Sequence, residues 1–165
     1  MTVTLPPNST APAPKLQPTG WLRYFSFSVD HKVIGLQYLV CGFVFYLIGG
    51  ALAGAIRTEL ASPVADFMAR DVYNQVLTLH GTVMIFLWIV PVVNGAFGNY
   101  LIPFYVGARD MAFPRLNAVA FWLIPPAGLM LVASYFITGA AQSGWTAYPP
   151  LSITTPATGQ IIWIV

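Results

Sequence analysis

The stretch YNQVLTLHGTVMIFLWIVPVVNGAFGNYLIPFYVGARDMAFPRLN, residues 73–117, decides the fold of this chain. From Val72 to Ala108 there is no Asp, Glu, Lys or Arg, and the single histidine is His80. About 20 apolar residues suffice for a helix that crosses a bilayer, so this run is long enough. A histidine inside it should face protein, a cavity or a bound group. His80 is therefore a candidate ligand for iron, copper or zinc, and a hydrogen bond to a neighbouring helix fits the local pattern equally well.

The composition of the whole chain is that of a membrane protein. Seven Lys and Arg and five Asp and Glu occur in 165 residues, and 57% of the residues are hydrophobic. About 25% of the residues of a soluble domain are charged. The net charge of +2 comes from residues placed singly at segment ends and does not indicate a nucleic-acid partner. The one cysteine, Cys41, cannot form an internal disulfide and is interpreted as a packing residue.

Charge-free runs predict three complete membrane spans and the start of a fourth. In chain order they are residues 33–56, a run from residue 72, residues 116–140 and a run from residue 161. Glycine and alanine residues give the first span a face on which another helix or a flat cofactor can approach closely. Pro91 and Pro103 should kink the second span, and the Pro125-Pro126 pair the third, because proline removes a backbone donor.

The segments outside the spans predict the topology. Residues 1–20, rich in Pro, Ser, Thr and Ala, are expected to form a disordered tail, and residues 21–165 a transmembrane domain. Asp30 can cap the first helix, and His31 beside Lys32 is interpreted as an interfacial residue. Five Lys and Arg fall in the tail, the segment before the first span and the 107–115 turn, against two in the 57–71 loop. Because cytoplasmic segments carry the excess of Lys and Arg, the N-terminus is predicted to be cytoplasmic.

Four motifs resemble the catalytic subunit of the haem–copper oxidases, cytochrome c oxidase subunit I. They are HGTVMIFLWIVP at residues 80–91, GAFGNYLIPFYVGARDMAFPRLN at 95–117, FWLIPPAG at 121–128 and GWTAYPPL at 144–151. The resemblance runs from about Trp21 to the C-terminus. It implies an all-α membrane protein, with these spans forming the N-terminal part of a twelve-helix bundle. The implied activity is electron transfer from cytochrome c to O2, giving water, coupled to proton pumping.

The same resemblance implies a low-spin haem site. His80 matches an axial ligand of that haem. Arg57 matches an arginine that hydrogen-bonds a ring substituent, which is a formyl where the haem is haem A, the favoured type. Trp145 matches an indole near a haem propionate. Without the resemblance, Arg57 would be interpreted as an interfacial anchor, and a tryptophan of the interfacial belt remains an alternative for Trp145.

A proton-pathway entrance is implied at the other end of the second span. Asp110 matches the carboxylate at that entrance, and Asn99 and Asn117 match amides that hold water near it. Asp110 could alternatively cap a helix beginning at Met111 or pair with Arg109. Asn99 taken alone could equally be an amide that caps the kink.

The resemblance also implies cofactors and partners outside this stretch. The complete subunit would hold a high-spin haem and a copper ion, and it would assemble with oxidase subunits II and III in a bacterial inner membrane or another energy-transducing membrane. Most metal ligands lie beyond residue 165 in the family, so the chain is interpreted as an N-terminal piece without activity of its own. Glu59 falls where relatives bind a peripheral cation, although the surrounding ligands are not recognisable here.

The sequence distinguishes among several alternative functions. Quinol-oxidising relatives carry polar groups where this chain has Ile48, Leu52 and Val72, and only their glutamine is kept, as Gln75; cytochrome c or a similar small carrier is therefore the preferred donor. A dihaem cytochrome b needs a second histidine about 13 or 14 residues after His80, where none stands. A transporter would explain broken helices, but not the GARDMAFPR motif. A non-catalytic scaffold piece also remains open.

Overall fold

The fold consists of three long helices packed side by side. The computed structural model describes residues 20–61, 63, 67–137 and 139–154. In chain order it contains a 3-10 helix at Gly20–Phe25, α1 at His31–Glu59, α2 at Arg70–Val106, α3 at Pro114–Ile137 and a helical turn at Leu151–Thr154. No strand occurs among these residues. The all-α class and the three spans are confirmed, since all three helices are long and apolar enough to cross a membrane.

Two predictions fall on other parts of the chain. The tail predicted over residues 1–20 lies outside the described residues except for Gly20, which begins the 3-10 helix. The fourth span predicted from residue 161 also lies outside them.

The start of α1 is fixed by side chains. Asp30 is its N-cap, as predicted, and its Oδ1 accepts a hydrogen bond from the backbone N–H of Lys32 at 2.9 Å. The other carboxylate oxygen accepts from Arg23 at 3.0 Å. Gln37 donates from Nε2 to two carbonyl oxygens of the preceding segment, at 2.9 and 3.0 Å. These bonds tie the 3-10 helix to α1 and stabilise the helix entry.

The helix α2 runs unbroken through both of its prolines, Pro91 and Pro103, and ends at Val106. Its middle is π-helical at Val83–Ile89 and Pro91–Gly98, and its ends are α-helical. A proline lacks an N–H and its ring collides with the preceding turn, and a wider turn relieves both problems. The expected interruption at Pro91 is therefore a change of helix type. Gly107, with φ +71°, ends the helix in the left-handed conformation.

The buried core lies between α1 and the other two helices. One hydrophobic cluster comprises Ile34, Tyr38, Ala96, Ala118 and Phe121. The other, nearer the Glu59 end of α1, comprises Phe45, Leu79, Val83 and Leu87. Cys41 packs against both clusters, in agreement with its interpretation as a packing residue. Two glycines permit close approach, because a Cβ at Gly95 would collide with the Tyr38 ring and one at Gly128 with the Phe45 ring.

Gly95→Ala should therefore lower the stability of the assembled protein. The added methyl group must displace the ring of Tyr38, which is buried against Phe121, and overpacking of this kind costs about 1–3 kcal/mol. Thermal inactivation of the detergent-solubilised protein measures the effect. Gly98→Ala is the matched control on the same helix, because its Cβ would meet its neighbours at an ordinary 3.8 Å. Equal inactivation temperatures for the two variants would contradict the packing argument.

Candidate functional site

His80 lies about 15 Å along the axis of α2 from Arg70, at 1.5 Å per residue. Its Nδ1 hydrogen-bonds the carbonyl oxygen of Gly49 on α1 at 2.9 Å. A carbonyl oxygen only accepts, so this bond assigns the proton to Nδ1 and leaves the lone pair on Nε2. Proteins commonly present imidazole to a metal ion in this way, with one nitrogen oriented by an acceptor and the other free to bind.

An open face of α1 adjoins this imidazole. Gly50 follows the carbonyl that His80 contacts, and a Cβ added at Gly50 or Gly54 would meet nothing within 4 Å. Arg57 follows on the same face, since residues three to four apart are neighbours on a helix. Its side chain is exposed and makes no hydrogen bond or ion pair with the described residues. The face is thus open at Gly50 and Gly54, and the guanidinium of Arg57 lies beyond them without a partner among the described residues.

The segment after α3 returns to α2 beside His80. The indole of Trp145 packs over Gly81, where an added Cβ would lie 3.1 Å from its Cδ1 atom. The ring also meets Phe86 edge to face, with centroids 6.1 Å apart. Its side chain remains 45% exposed. Trp145 therefore contacts the residue next to His80, a placement that an interfacial belt alone does not require.

A polar cavity of about 370 Å³ lies at the other end of the bundle. Asp110 and Arg109 line it together with Val29, Asp30, His31 and Lys32. Asp110 is exposed, and its Oδ1 accepts a hydrogen bond from the N–H of Met111 at 2.8 Å. Because α3 begins at Pro114, Asp110 does not cap a helix starting at Met111. Within the described residues the one ion pair joins Arg23 to Asp30, so Asp110 does not pair with Arg109.

His31 is buried, with 3% of its surface exposed, although it is the first residue of α1; its position at the membrane interface stays a prediction. Its Nδ1–H donates to the carbonyl oxygen of Asn99 at 2.8 Å. In a regular helix that carbonyl would accept from the N–H four residues later, but Pro103 stands there and has none. The proline thus leaves an acceptor inside α2 that His31 satisfies. This signal was readable in the sequence and was missed.

Two amides near this end carry buried atoms without a partner among the described residues, namely Oδ1 of Asn99 and Nδ2 of Asn117. The Nδ2 of Asn99 donates to the Gly95 carbonyl oxygen at 2.6 Å. Asn99 lies one turn from Ala96, and Asn117 precedes Ala118, so both adjoin the same core cluster. Buried polar atoms are nearly always hydrogen-bonded, and ordered water is the usual partner where protein offers none.

One carboxylate oxygen of Glu59 is hydrogen-bonded to the loop that follows α1. Its Oε2 accepts a hydrogen bond from the N–H of Met68 at 2.9 Å. No group of three or more His, Cys, Asp and Glu is placed to hold a metal ion in the described part of the chain. A cation bound at this position would therefore have Glu59 as a ligand, but the described residues offer it no cluster of further acidic ligands.

An apolar cavity of about 510 Å³ lies between α1, α2 and α3 near the 60–69 loop. Ile48, Leu52 and Val72 all line it. Gln75 on α2 accepts a hydrogen bond at Oε1 from the N–H of Ala140 at 3.2 Å. The three lining side chains are hydrocarbon and offer no hydrogen-bonding group to a molecule bound in the cavity.

The fold and this site define an all-α integral membrane protein that presents an oriented imidazole from within its helices. Residues 33–165 match the family model described as "Cytochrome C and Quinol oxidase polypeptide I". The chain is 63% identical over 145 residues to cytochrome c oxidase subunit 1 of Thermostichus vulcanus, covering 88% of this chain and 26% of the relative. It is 59% identical over 158 residues to the Synechocystis sp. protein of the same name, covering 96% and 28%.

A more distant relative agrees. The subunit 1 of Corynebacterium efficiens is 42% identical over 158 residues, covering 90% of this chain and 27% of the relative. The chain belongs to the cytochrome c and quinol oxidase polypeptide I family, and it spans about a quarter of the length of these curated relatives.

Proposed function

We propose that this chain is part of the catalytic subunit of a terminal respiratory oxidase, which passes electrons from cytochrome c to O2, forms water and pumps protons. The names of its relatives support this proposal. The observation that carries it is the imidazole of His80, which the Gly49 carbonyl orients so that Nε2 is free to bind. A complete subunit would also hold a high-spin haem and a copper ion, and oxidase subunits II and III are its proposed partners.

The described residues fit one side of a low-spin haem. His80 would bind the iron through Nε2, and the hydrogen bond at Nδ1 both fixes the ring plane and raises its basicity. The open positions Gly50 and Gly54 support this proposal because they leave room for a flat macrocycle, and Arg57 and Trp145 would contact its substituents. Such a haem, with haem A favoured, supplies one-electron transfer when bound.

Arg57→Met should lower the reduction potential of the low-spin haem. The oxidised haem carries more positive charge than the reduced one, so removing a fixed cation nearby favours oxidation. At an effective dielectric constant of about 20, the expected drop is on the order of 50 mV. A spectroelectrochemical titration measures it. Arg57→Lys is the control, since it keeps the charge while losing the planar fork.

The visible spectrum gives a second reading of the same variants. If Arg57 donates to a formyl group, Arg57→Met and Arg57→Lys should both shift the visible band to the blue. Only Arg57→Met should lower the reduction potential strongly. Unchanged potential and spectrum in Arg57→Met would return Arg57 to the role of an interfacial anchor.

The end of α2 far from His80 is proposed as the proton-uptake side. Asp110 lines the polar cavity there, and the unpartnered amide atoms of Asn99 and Asn117 are suited to hold water leading inward. Electrons would then enter near one face of the membrane and protons near the other. This arrangement agrees with the Lys and Arg distribution, which favours a cytoplasmic N-terminus.

Cytochrome c, or a similar small carrier acting through subunit II, is the proposed electron donor. The cavity lined by Ile48, Leu52 and Val72 offers no hydrogen bond from those side chains to a quinone head group. The purified complex should therefore oxidise reduced cytochrome c much faster than a short-chain quinol. The reverse order of rates would favour a quinol-oxidising member of the same family, and inactivity toward both would favour a scaffold role. A cation at Glu59 is proposed as peripheral to this chemistry.

A further inference from the structure

The segment that carries Trp145 is fastened to α2 by two side chains. The N–H of Ala140 donates to Oε1 of Gln75 at 3.2 Å, and the N–H of Gly144 donates to Oγ1 of Thr78 at 3.0 Å. Gln75 and Thr78 are one helical turn apart and so lie on the same face of α2. The two bonds therefore fix both ends of the 140–144 stretch against one helix.

Thr78 is a rigid anchor. Only 1% of its surface is exposed, and its hydroxyl donates to the carbonyl oxygen of Asn74 at 2.8 Å while accepting from Gly144. Its proton position is therefore set by the helix, and its lone pair is aimed at the incoming segment. A hydroxyl held in this way orders its partner more strongly than a freely rotating one.

The anchored segment positions the indole of Trp145 against Gly81 on α2. Trp145 follows Gly144 directly, and its ring rests on Gly81, the neighbour of His80. Gly144 has φ +76°, a conformation that side chains rarely adopt and that lets the chain turn there. The glycine at 81 permits this close contact, since a Cβ there would lie 3.1 Å from Cδ1 and the indole would have to shift by a few tenths of an ångström.

We propose that Thr78 and Gln75 are positioning residues that clamp the 139–147 segment on α2 and hold the Trp145 indole at a fixed place beside the group bound by His80. The inference rests on the proposed haem-binding role of His80. It also gives Gln75 a task in this chain that differs from binding a quinone, because its Oε1 is engaged by the backbone of Ala140.

The clamp itself is tested by hydrogen–deuterium exchange on the assembled oxidase. Thr78→Val keeps the shape of the side chain but removes the acceptor for Gly144, so the peptide containing residues 139–147 should exchange faster. Thr78→Ser keeps the hydroxyl and should restore protection. Gln75→Leu should release the Ala140 end in the same way, and it serves where Thr78→Val does not assemble. Unchanged exchange in an assembled Val or Leu variant would overturn the clamp.

The action through Trp145 is tested by a double-mutant cycle on the midpoint potential of the low-spin haem. Thr78→Val should shift that potential in the wild-type background and have no further effect in Trp145→Phe, because Thr78 acts on the haem through the indole that Trp145→Phe has already removed. Equal shifts in the two backgrounds, or no shift in either, would overturn the positioning role. A wrong haem assignment gives a different pattern of results. In that case His80→Ala leaves the low-spin spectrum intact, while the faster hydrogen–deuterium exchange in Thr78→Val is still observed.

Discussion

Replacing His80 by alanine should abolish the low-spin haem signal of the assembled oxidase. The substitution removes Nε2, the atom that the Gly49 hydrogen bond leaves free for the iron. Loss of even an outer-shell partner costs about 10–100-fold in metal affinity or activity, so loss of the ligand should reduce cytochrome c oxidation by more than about 100-fold. Absorption and electron paramagnetic resonance spectra of the purified complex measure the change in spin state.

The other histidine provides the control for this experiment. His31 likewise donates from Nδ1 to a helix carbonyl, but it is buried where His80 is half-buried, and it lies at the opposite end of α1 from Gly49. His31→Gln should leave the low-spin signal in place. Added imidazole should partly restore the signal in His80→Ala, since it can occupy the space of the missing ring. A normal low-spin spectrum in His80→Ala without added imidazole would contradict the assignment.

The spans could be predicted because lipid leaves the chain few choices. Backbone polar groups in hydrocarbon must be satisfied internally, so a long charge-free run must be a helix. The 33–56 run appears as α1 at His31–Glu59, and the 116–140 run as α3 at Pro114–Ile137. The ends differ by a few residues because they are set locally, at α1 by the cap at Asp30.

The interior of α2 was less predictable. Proline predicts a disturbed helix but does not say whether it bends, breaks or widens, and that choice depends on packing against α1. The glycine at 95 faces the Tyr38 ring, and only the folded structure shows that contact. The burial of His31 follows from the carbonyl that Pro103 frees, which requires counting helix hydrogen bonds rather than charges.

The candidate site likewise has a part that the sequence predicts and a part that only the folded structure shows. His80 stands out in the sequence because an ionisable residue in a membrane span is rare. Its orientation depends on the Gly49 carbonyl, and the contact of Trp145 with Gly81 depends on how a distant segment folds back. Neither can be read from residue spacing. The clamp proposed for Gln75 and Thr78 is not predicted for the same reason, since polar residues on a helix do not reveal which loop they bind.

Asp110→Asn should slow steady-state turnover and abolish most proton pumping while leaving the haem signals intact. The carboxylate lines the polar cavity at the end of the bundle far from His80, where it can take up and release protons. Asparagine keeps the size and can still accept from the N–H of Met111, but it cannot ionise. Positioned proton-transfer groups typically contribute about 10²–10⁴-fold, so a drop of roughly 10-fold or more is expected.

A defect in proton uptake must be distinguished from a general loss of oxidase activity. In stopped-flow experiments the low-spin haem of Asp110→Asn should be reduced by the donor at the wild-type rate, because His80 and its surroundings are unaltered. Asp110→Glu should retain much of the turnover, since it restores an ionisable group at the cavity. Asp71→Asn is the matched control, because Asp71 is likewise exposed but lies in the first turn of α2, at the opposite end. Full turnover and normal proton ejection by Asp110→Asn in reconstituted vesicles would move the uptake site elsewhere and leave Asp110 as a surface residue that orders its own turn.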